Sequence, residues 1–248
     1  MKLAAQNLSK SYHQHTVLDV AEITFGDHGI EGLIGPNGAG KSTLLGLLTR
    51  RLSATSGSVT FEIDDHAHDL MALRSHQVAR LGLVKSNQRI QGFDSLSIRD
   101  SLRMAATPPE RETWKSAWRQ DRGDPAIEDE IDALLNAFPF ADPGGFAKSG
   151  GEKKLLDILR CLMVKPRMLL MDEPTAGLPS EVTDQVMAVI RARVEAKAMI
   201  VLIIEHDLDL IWSHCDYVHF LSEGKLLFQG DPDEVKNNRV VAEKYLGV

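Results

Sequence analysis

Short apolar runs of strand length alternate along this chain with longer stretches whose apolar residues recur at helical spacing. That alternation is the pattern of an α/β domain built on a largely parallel sheet. Strands are expected over residues 2–8, 17–25, 31–34, 58–63, 167–171, 199–204, 217–221 and 225–229. The first, second and fourth equally suit an antiparallel side sheet. Between Arg99 and Pro143 the pattern changes: strand-like runs stop, and three helix-like segments follow at 98–106, 112–120 and 127–138. We read an inserted helical lobe over about 90–148, within a core made of 1–89 and 149–248. Gln91-Gly92 and Asp142-Pro143-Gly144-Gly145 are the loop signals at its edges. The last segment opens Asp231-Pro232-Asp233-Glu234, where Asp231 can cap a helix, Pro232 takes its first position and Glu234 reaches back. A helical tail is expected.

Length and composition narrow the class. At about 150 residues per domain, 248 residues make one large domain or a domain with an inserted lobe. A chain of this size buries enough surface to fold without disulfides or a structural metal. Cys161 and Cys215 lie far apart and form no C-x-x-C pair, which suits buried thiols in a reducing compartment. Lys+Arg 28 against Asp+Glu 35, a net charge of -7, offers no basic footprint for nucleic acid. The longest apolar run, 198–204, is seven residues, whereas a spanning helix needs about 20. The first ten residues hold no apolar stretch long enough for a secretory signal. A cytoplasmic chain is expected, acting at a membrane only through a partner.

The sharpest chemical signal runs through Gly35, Pro36, Asn37, Gly38, Ala39, Gly40, Lys41, Ser42 and Thr43, which match G-x-x-x-x-G-K-[ST] between an apolar run and a helix-like one. Its glycines let the backbone turn N–H groups toward phosphate oxygens, and the following helix adds its positive end. Lys41 meets the β- and γ-phosphates, and Ser42 binds Mg²⁺. Downstream, the buried-strand pattern of residues 167–171 ends in Asp172-Glu173. An acid delivered at the end of such a strand holds Mg²⁺ in P-loop enzymes, and Glu173, pointing elsewhere, is placed to activate water as a general base. Ser149-Gly150-Gly151-Glu152 opens a helix. A capping box accounts for Ser149 and Glu152 by itself. Two glycines in a first turn cost on the order of 1 kcal/mol each, a cost that a phosphate approaching the helix end explains. His206, directly after the strand at 199–204, can reach a phosphate. Tyr12 and Gln88 carry no signal individually.

In this order the motifs resemble the ATP-binding cassette of ABC transporters, and the resemblance covers essentially the whole chain. It implies an α/β P-loop NTPase cassette with a mostly parallel core sheet, an antiparallel β side sheet and an inserted helical lobe. It also implies two cassettes docked head to tail around two ATP molecules, as a homodimer or heterodimer. By this resemblance Tyr12 stacks on adenine, Gln88 links the γ-phosphate and Mg²⁺ to the helical lobe, and Ser149, Gly150 and Gly151 meet ATP held by the other subunit. His206 is the switch histidine and Glu173 the catalytic base, with Lys41 and Gln88 in the catalytic set. Ser42, Gln88 and Asp172 are the metal-side residues. ATP and Mg²⁺ are the implied cofactors, and transmembrane permeases are the implied partners of the helical lobe, on the cytoplasmic face of the inner or plasma membrane.

Two finer features, IIEHDLDLI around His206 and the tail GDPDEVKNNRVVAEKYLG, are similar to importer cassettes for branched-chain amino acids. The tail is shared with urea-type importer and lipopolysaccharide-export cassettes. The chain departs from the family at Lys148, where a leucine is usual, and at Ala176-Gly177-Leu178-Pro179, which lacks the usual Asp or Asn. The expected function is therefore an ATPase that powers import of a small polar solute such as branched-chain amino acids. The alternatives are a urea or amide importer, an export cassette of the lipopolysaccharide type, or a soluble ABC ATPase without a transport role. A GTPase or small-molecule kinase is disfavoured, since no N-K-x-D tetrapeptide occurs and the SGGE and His206 elements would go unexplained.

Overall fold

A computed structural model describes residues 1–86, 96–107, 124–142, 144–147 and 149–246. Its contacts divide the chain into two compact units, one of Met1–Lys85, Arg167–Glu173 and Arg191–Val248, the other of Ser86–Pro166 and Pro174–Ile190.

The first unit holds two sheets. Strands β1 (Lys2–Tyr12), β2 (His15–Phe25), β4 (Ser56–Ile63) and β5 (His66–Asp69) pair antiparallel in the order β2-β1-β4-β5. Period-two alternation buries Val59, Phe61 and Ile63 on one face of β4. In β1 the buried Leu3, Ala5 and Leu8 slip by one position. A bulge absorbs the slip: the register to β4 shifts between Gln6 and Ser9, and Asn7 sits at φ 48.

Strands β3 (Ile30–Ile34), β6 (Leu83–Lys85), β7 (Met168–Asp172), β8 (Ile200–Ile204), β9 (Tyr217–Ser222) and β10 (Lys225–Gly230) form the second sheet, ordered β10-β9-β3-β8-β7-β6. All its pairs are parallel except β9–β10. Every residue of β3 and β7 is buried, as expected of parallel strands covered on both faces. Helix α1 (Lys41–Leu48) is apolar nearly all round and packs Leu44, Leu45, Leu47 and Leu48 into one cluster with Leu3, Phe25 and Phe61 of the first sheet and Leu170 and Leu202 of the second. A helix without a polar face is stable only when enclosed in this way.

Among its described residues this unit also carries further short α-helices. They are α2 (Ser75–Arg80), α7 (Leu208–His214), α8 (Pro232–Lys236) and α9 (Arg239–Leu246). The expected tail helix is thus two helices, broken at Asn237-Asn238. Asp231 caps α8 by accepting from the Glu234 N–H at 2.9 Å, with Pro232 at its first position.

In the second unit lie α3 (Ile98–Ala106), α4 (Pro125–Ala137), α5 (Gly150–Met163) and most of α6 (Ser180–Glu195). Ser97 caps α3 and Asp124 caps α4. Arg103 of α3 bonds both carboxylate oxygens of Glu128 on α4, at 2.6 and 3.0 Å. Arg99 joins Glu128 at 3.1 Å and also bonds Asp132.

The eight expected strands are present, some of them longer than foreseen. Strands β5 and β6 were not foreseen: HAHD has no apolar pattern, and three residues of β6 are too few to show a period. The helix-like segment expected at 112–120 lies outside the described residues. Both cysteines are free and buried, and burial pushes each thiol up to about 12.

Candidate active site

Parallel strands deliver their C-terminal ends to one edge of the sheet, and crevices at that edge are where open α/β sheets bind ligands. Leu33 of β3 and Asp172 of β7 both lie opposite Ile204 of the central β8. The loop after β3, the acids ending β7 and the histidine after β8 therefore meet at one height, although they are spread over 170 positions of sequence.

The loop from Gly35 to Gly40 is shaped by backbone conformations that only glycine adopts cheaply. Gly35, Gly38 and Gly40 have φ of 155, 80 and 102. A Cβ on Gly35 would lie 2.0 Å from the Leu221 carbonyl oxygen, whereas one on Gly38 would meet nothing within 4 Å. The loop is thus packed tightly at its start and open at its middle. It leads into α1, whose first N–H groups have no carbonyl four residues behind them inside the helix. Lys41 is 7% exposed, and its Nζ donates to the Gly35 and Pro36 carbonyls at 2.6 and 3.1 Å. Burial lowers the pKa of this ammonium, while Glu173 and Asp172 oppose the shift. Ser42, next in line, is exposed.

Asp172 is 1% exposed, and its Oδ2 lies 2.9 Å from the Lys85 Nζ. Glu173 leaves the strand at φ 50, a left-handed conformation that costs a non-glycine residue roughly 1–2 kcal/mol. Its N–H donates to the Ile204 carbonyl at 2.8 Å, so the turn stays tied to β8. This turn separates the two adjacent carboxylates: Asp172 is buried against Lys85, and Glu173, partly exposed, meets the His206 Nε2 at 3.1 Å. A strained backbone at a paired carboxylate is a feature that active sites retain.

The donors fit the groups that the motifs imply. Among the described residues no three His, Cys, Asp or Glu side chains converge on a common point. Mg²⁺ beside a nucleotide uses one or two protein oxygens and completes its shell with phosphate and water; Asp172 and the Ser42 hydroxyl are hard oxygen donors of that kind. For a polyphosphate, the open Gly38, the α1 N-terminus and the Lys41 ammonium form a cradle of positive potential.

Tyr12 is the last residue of β1, beyond the strand expected over 2–8. The residue is 47% exposed, with the Lys10 ammonium 4.8 Å from its ring centroid. The hairpin carrying it runs past the glycine-rich loop, since the Val17 carbonyl lies 3.1 Å from a Cβ built on Gly40. Gln88 and Lys148 lie outside the described residues. In the helical unit, Ser149 and Glu152 close a capping box, with the Glu152 N–H on Ser149 Oγ at 3.0 Å and the Ser149 N–H on Glu152 Oε2 at 3.1 Å. Glu152 Oε1 also accepts from the Ala141 N–H at 3.0 Å. Gly150 faces open space, and a Cβ on Gly151 would lie 3.2 Å from the Gly177 carbonyl. Sequence reasoning passed over Lys85. The available signal was a Lys closing the apolar pair Leu83-Val84, three residues before Gln88.

Comparison with known proteins adds an independent line. The family described as ABC transporter matches residues 18–176. The high-affinity branched-chain amino acid transport ATP-binding protein BraF of Pseudomonas aeruginosa is 29% identical over 238 residues, covering 88% of this chain and 87% of that protein. The lipopolysaccharide export system ATP-binding protein LptB of Escherichia coli K12 is 31% identical over 247 residues, covering 99% and 97%. Among solved structures, the ADP conformation of MJ1267, an ATP-binding cassette of an ABC transporter, superposes with a TM-score of 0.80 at 27% identity over 100% of both chains.

Proposed function

The chain belongs to the ABC transporter family as an ATP-binding, ATP-hydrolysing subunit, and from that premise we propose that it powers import of a small polar solute, with branched-chain amino acids as the first class to test. The observation that carries the chemical part is the meeting of Lys41, Asp172 and the Glu173–His206 pair at one sheet edge.

In this reading the glycine-rich loop and Lys41 would hold the ATP phosphates, Ser42, Asp172 and Gln88 would hold Mg²⁺, and Tyr12 would stack on adenine. Lys10 lies over the Tyr12 ring, so the base takes the opposite ring face. Mg²⁺, when bound, supplies charge neutralisation between the phosphates. Glu173 accepts the proton of the attacking water, and His206 orients its carboxylate. Ser149 and Gly151 of a second cassette complete each site, with Gly150 leaving its helix N-terminus open to a phosphate. ATP then contacts both subunits only in the closed dimer, so its binding energy favours closure. The inserted helical lobe read from the sequence at about 90–148 would transmit closure to membrane subunits on the cytoplasmic face. Among the described residues no helix is long and apolar enough to cross a membrane.

The import reading rests on the segment around His206, the tail and the likeness to BraF; the comparable identity to LptB supports a second reading, an export cassette. Purification with the membrane proteins encoded beside it, reconstituted in liposomes, separates the two. ATP hydrolysis stimulated by an amino-acid-loaded binding protein, with solute uptake, is expected. Stimulation by lipopolysaccharide instead would replace the import reading.

A further inference from the structure

Lys85 is the last residue of β6 and lies opposite Leu170 in the parallel ladder to β7. Two residues along β7, a rise of about 6.6 Å, is Asp172, and the four-carbon Lys stem spans that interval to place its ammonium 2.9 Å from Oδ2. The side chains are 11% and 2% exposed. Two charges so enclosed pay a heavy desolvation cost, and an apolar pair would fill the space at less expense. A salt bridge in this position is therefore a poor device for stability alone. Its acidic member is also the residue assigned to the metal side of the site, so the same carboxylate faces two cations. An ammonium on Oδ2 neutralises it and repels a dication brought to it, with little water between to screen the repulsion.

We propose that Lys85 is a positioning residue that holds the Asp172 carboxylate in place and competes with the divalent cation for it, so that metal entry with nucleotide requires Lys85 to yield. This rests on the assignment of Asp172 to the metal side of the site. Competition weakens metal binding, while the held carboxylate keeps one orientation between turnovers.

The test uses the full chain with the non-hydrolysable analogue adenylyl imidodiphosphate and Mn²⁺ as the metal, with free Mn²⁺ read by electron paramagnetic resonance. Lys85→Met is expected to bind Mn²⁺ at least about threefold more tightly than the native protein, and Lys85→Arg, which keeps the charge, to stay within about twofold of it. Lys85→Gln, polar and neutral, is expected to move in the Met direction and serves where the Met variant does not fold. Unchanged or weaker Mn²⁺ binding in the neutral variants, or tightening in the Arg variant equal to theirs, overturns the proposal. Asp172→Asn separates this failure from failure of the site assignment: Mn²⁺ binding must weaken in that variant if Asp172 is a metal-side residue. A purely structural salt bridge would lower thermal stability in the neutral variants without tightening Mn²⁺ binding.

Discussion

Glu173 shows how one backbone torsion divides labour between neighbours. Asp172 ends β7 in the extended conformation and keeps its carboxylate buried, while φ 50 at the next residue carries Glu173 out to His206. Glu173→Gln keeps the size and the turn but removes the carboxylate proposed as the base. ATP hydrolysis is expected to fall by about 10²–10⁴-fold with nucleotide affinity preserved, checked by phosphate release and fluorescent-nucleotide titration. The two thiols give a second outcome at this scale. Each is ordinarily near 9.0 and is pushed up to about 12 mainly by burial. The native state holds these protons after the unfolded chain has released them. The contribution is therefore complete below 9.0 and is lost as pH rises toward 12. The urea midpoint should fall above pH 9, and less so in a Cys161→Ala/Cys215→Ala variant.

At the scale of elements, α3 and α4 are joined by a small ion network in which Arg103 and then Arg99 hold the Glu128 carboxyl below its usual range. A lowered carboxylate pKa stabilises above the unfolded value of 4.5, and the effect is lost as pH falls through the folded value. Glu128→Gln should lower Tm by roughly 1–3 °C at pH 7, the scale of a partly exposed pair. It should also speed amide exchange in both helices, and the gap to the native protein should close on acidification. Elements also show where sequence legibility ends. Helix α3 occupies the helix-like segment read at 98–106, while its Ser97 cap and the burial of polar Ser101 beside Ile98 and Leu102 came from the structure. Strand β6 was illegible because its identity comes from pairing with β7 rather than from any period of its own. The extension of β1 to Tyr12 was likewise decided by partners, as Ser11 and Tyr12 are polar-pattern residues held by Thr16 and His15.

For the whole molecule, mass action links nucleotide to stability and assembly. MgATP saturating the Glu173→Gln variant at about 100 times its Kd should raise stability by about 2.7 kcal/mol. It should also shift the protein from monomer to dimer in sedimentation, and Gly151→Ala should oppose that shift, because a Cβ there already crowds the Gly177 carbonyl. A monomer under saturating MgATP would remove the shared-site reading.

The glycine-rich loop before Lys41, the Asp172-Glu173 pair and the capped helix at Ser149 were determined by sequence alone, because their signals reside in residue types at short, fixed spacings. The alternation of strands and helices was determined in the same way, through the difference between a period of two and one of 3.6. Tertiary structure alone decided which distant residues meet. Strand order set β3 and β7 on either side of β8, so Lys41, Glu173 and His206 share an edge. The β6–β7 register brought Lys85 within 2.9 Å of Asp172. Such contacts arise from pairing between segments far apart in the chain, and no local pattern encodes a partner 87 residues away.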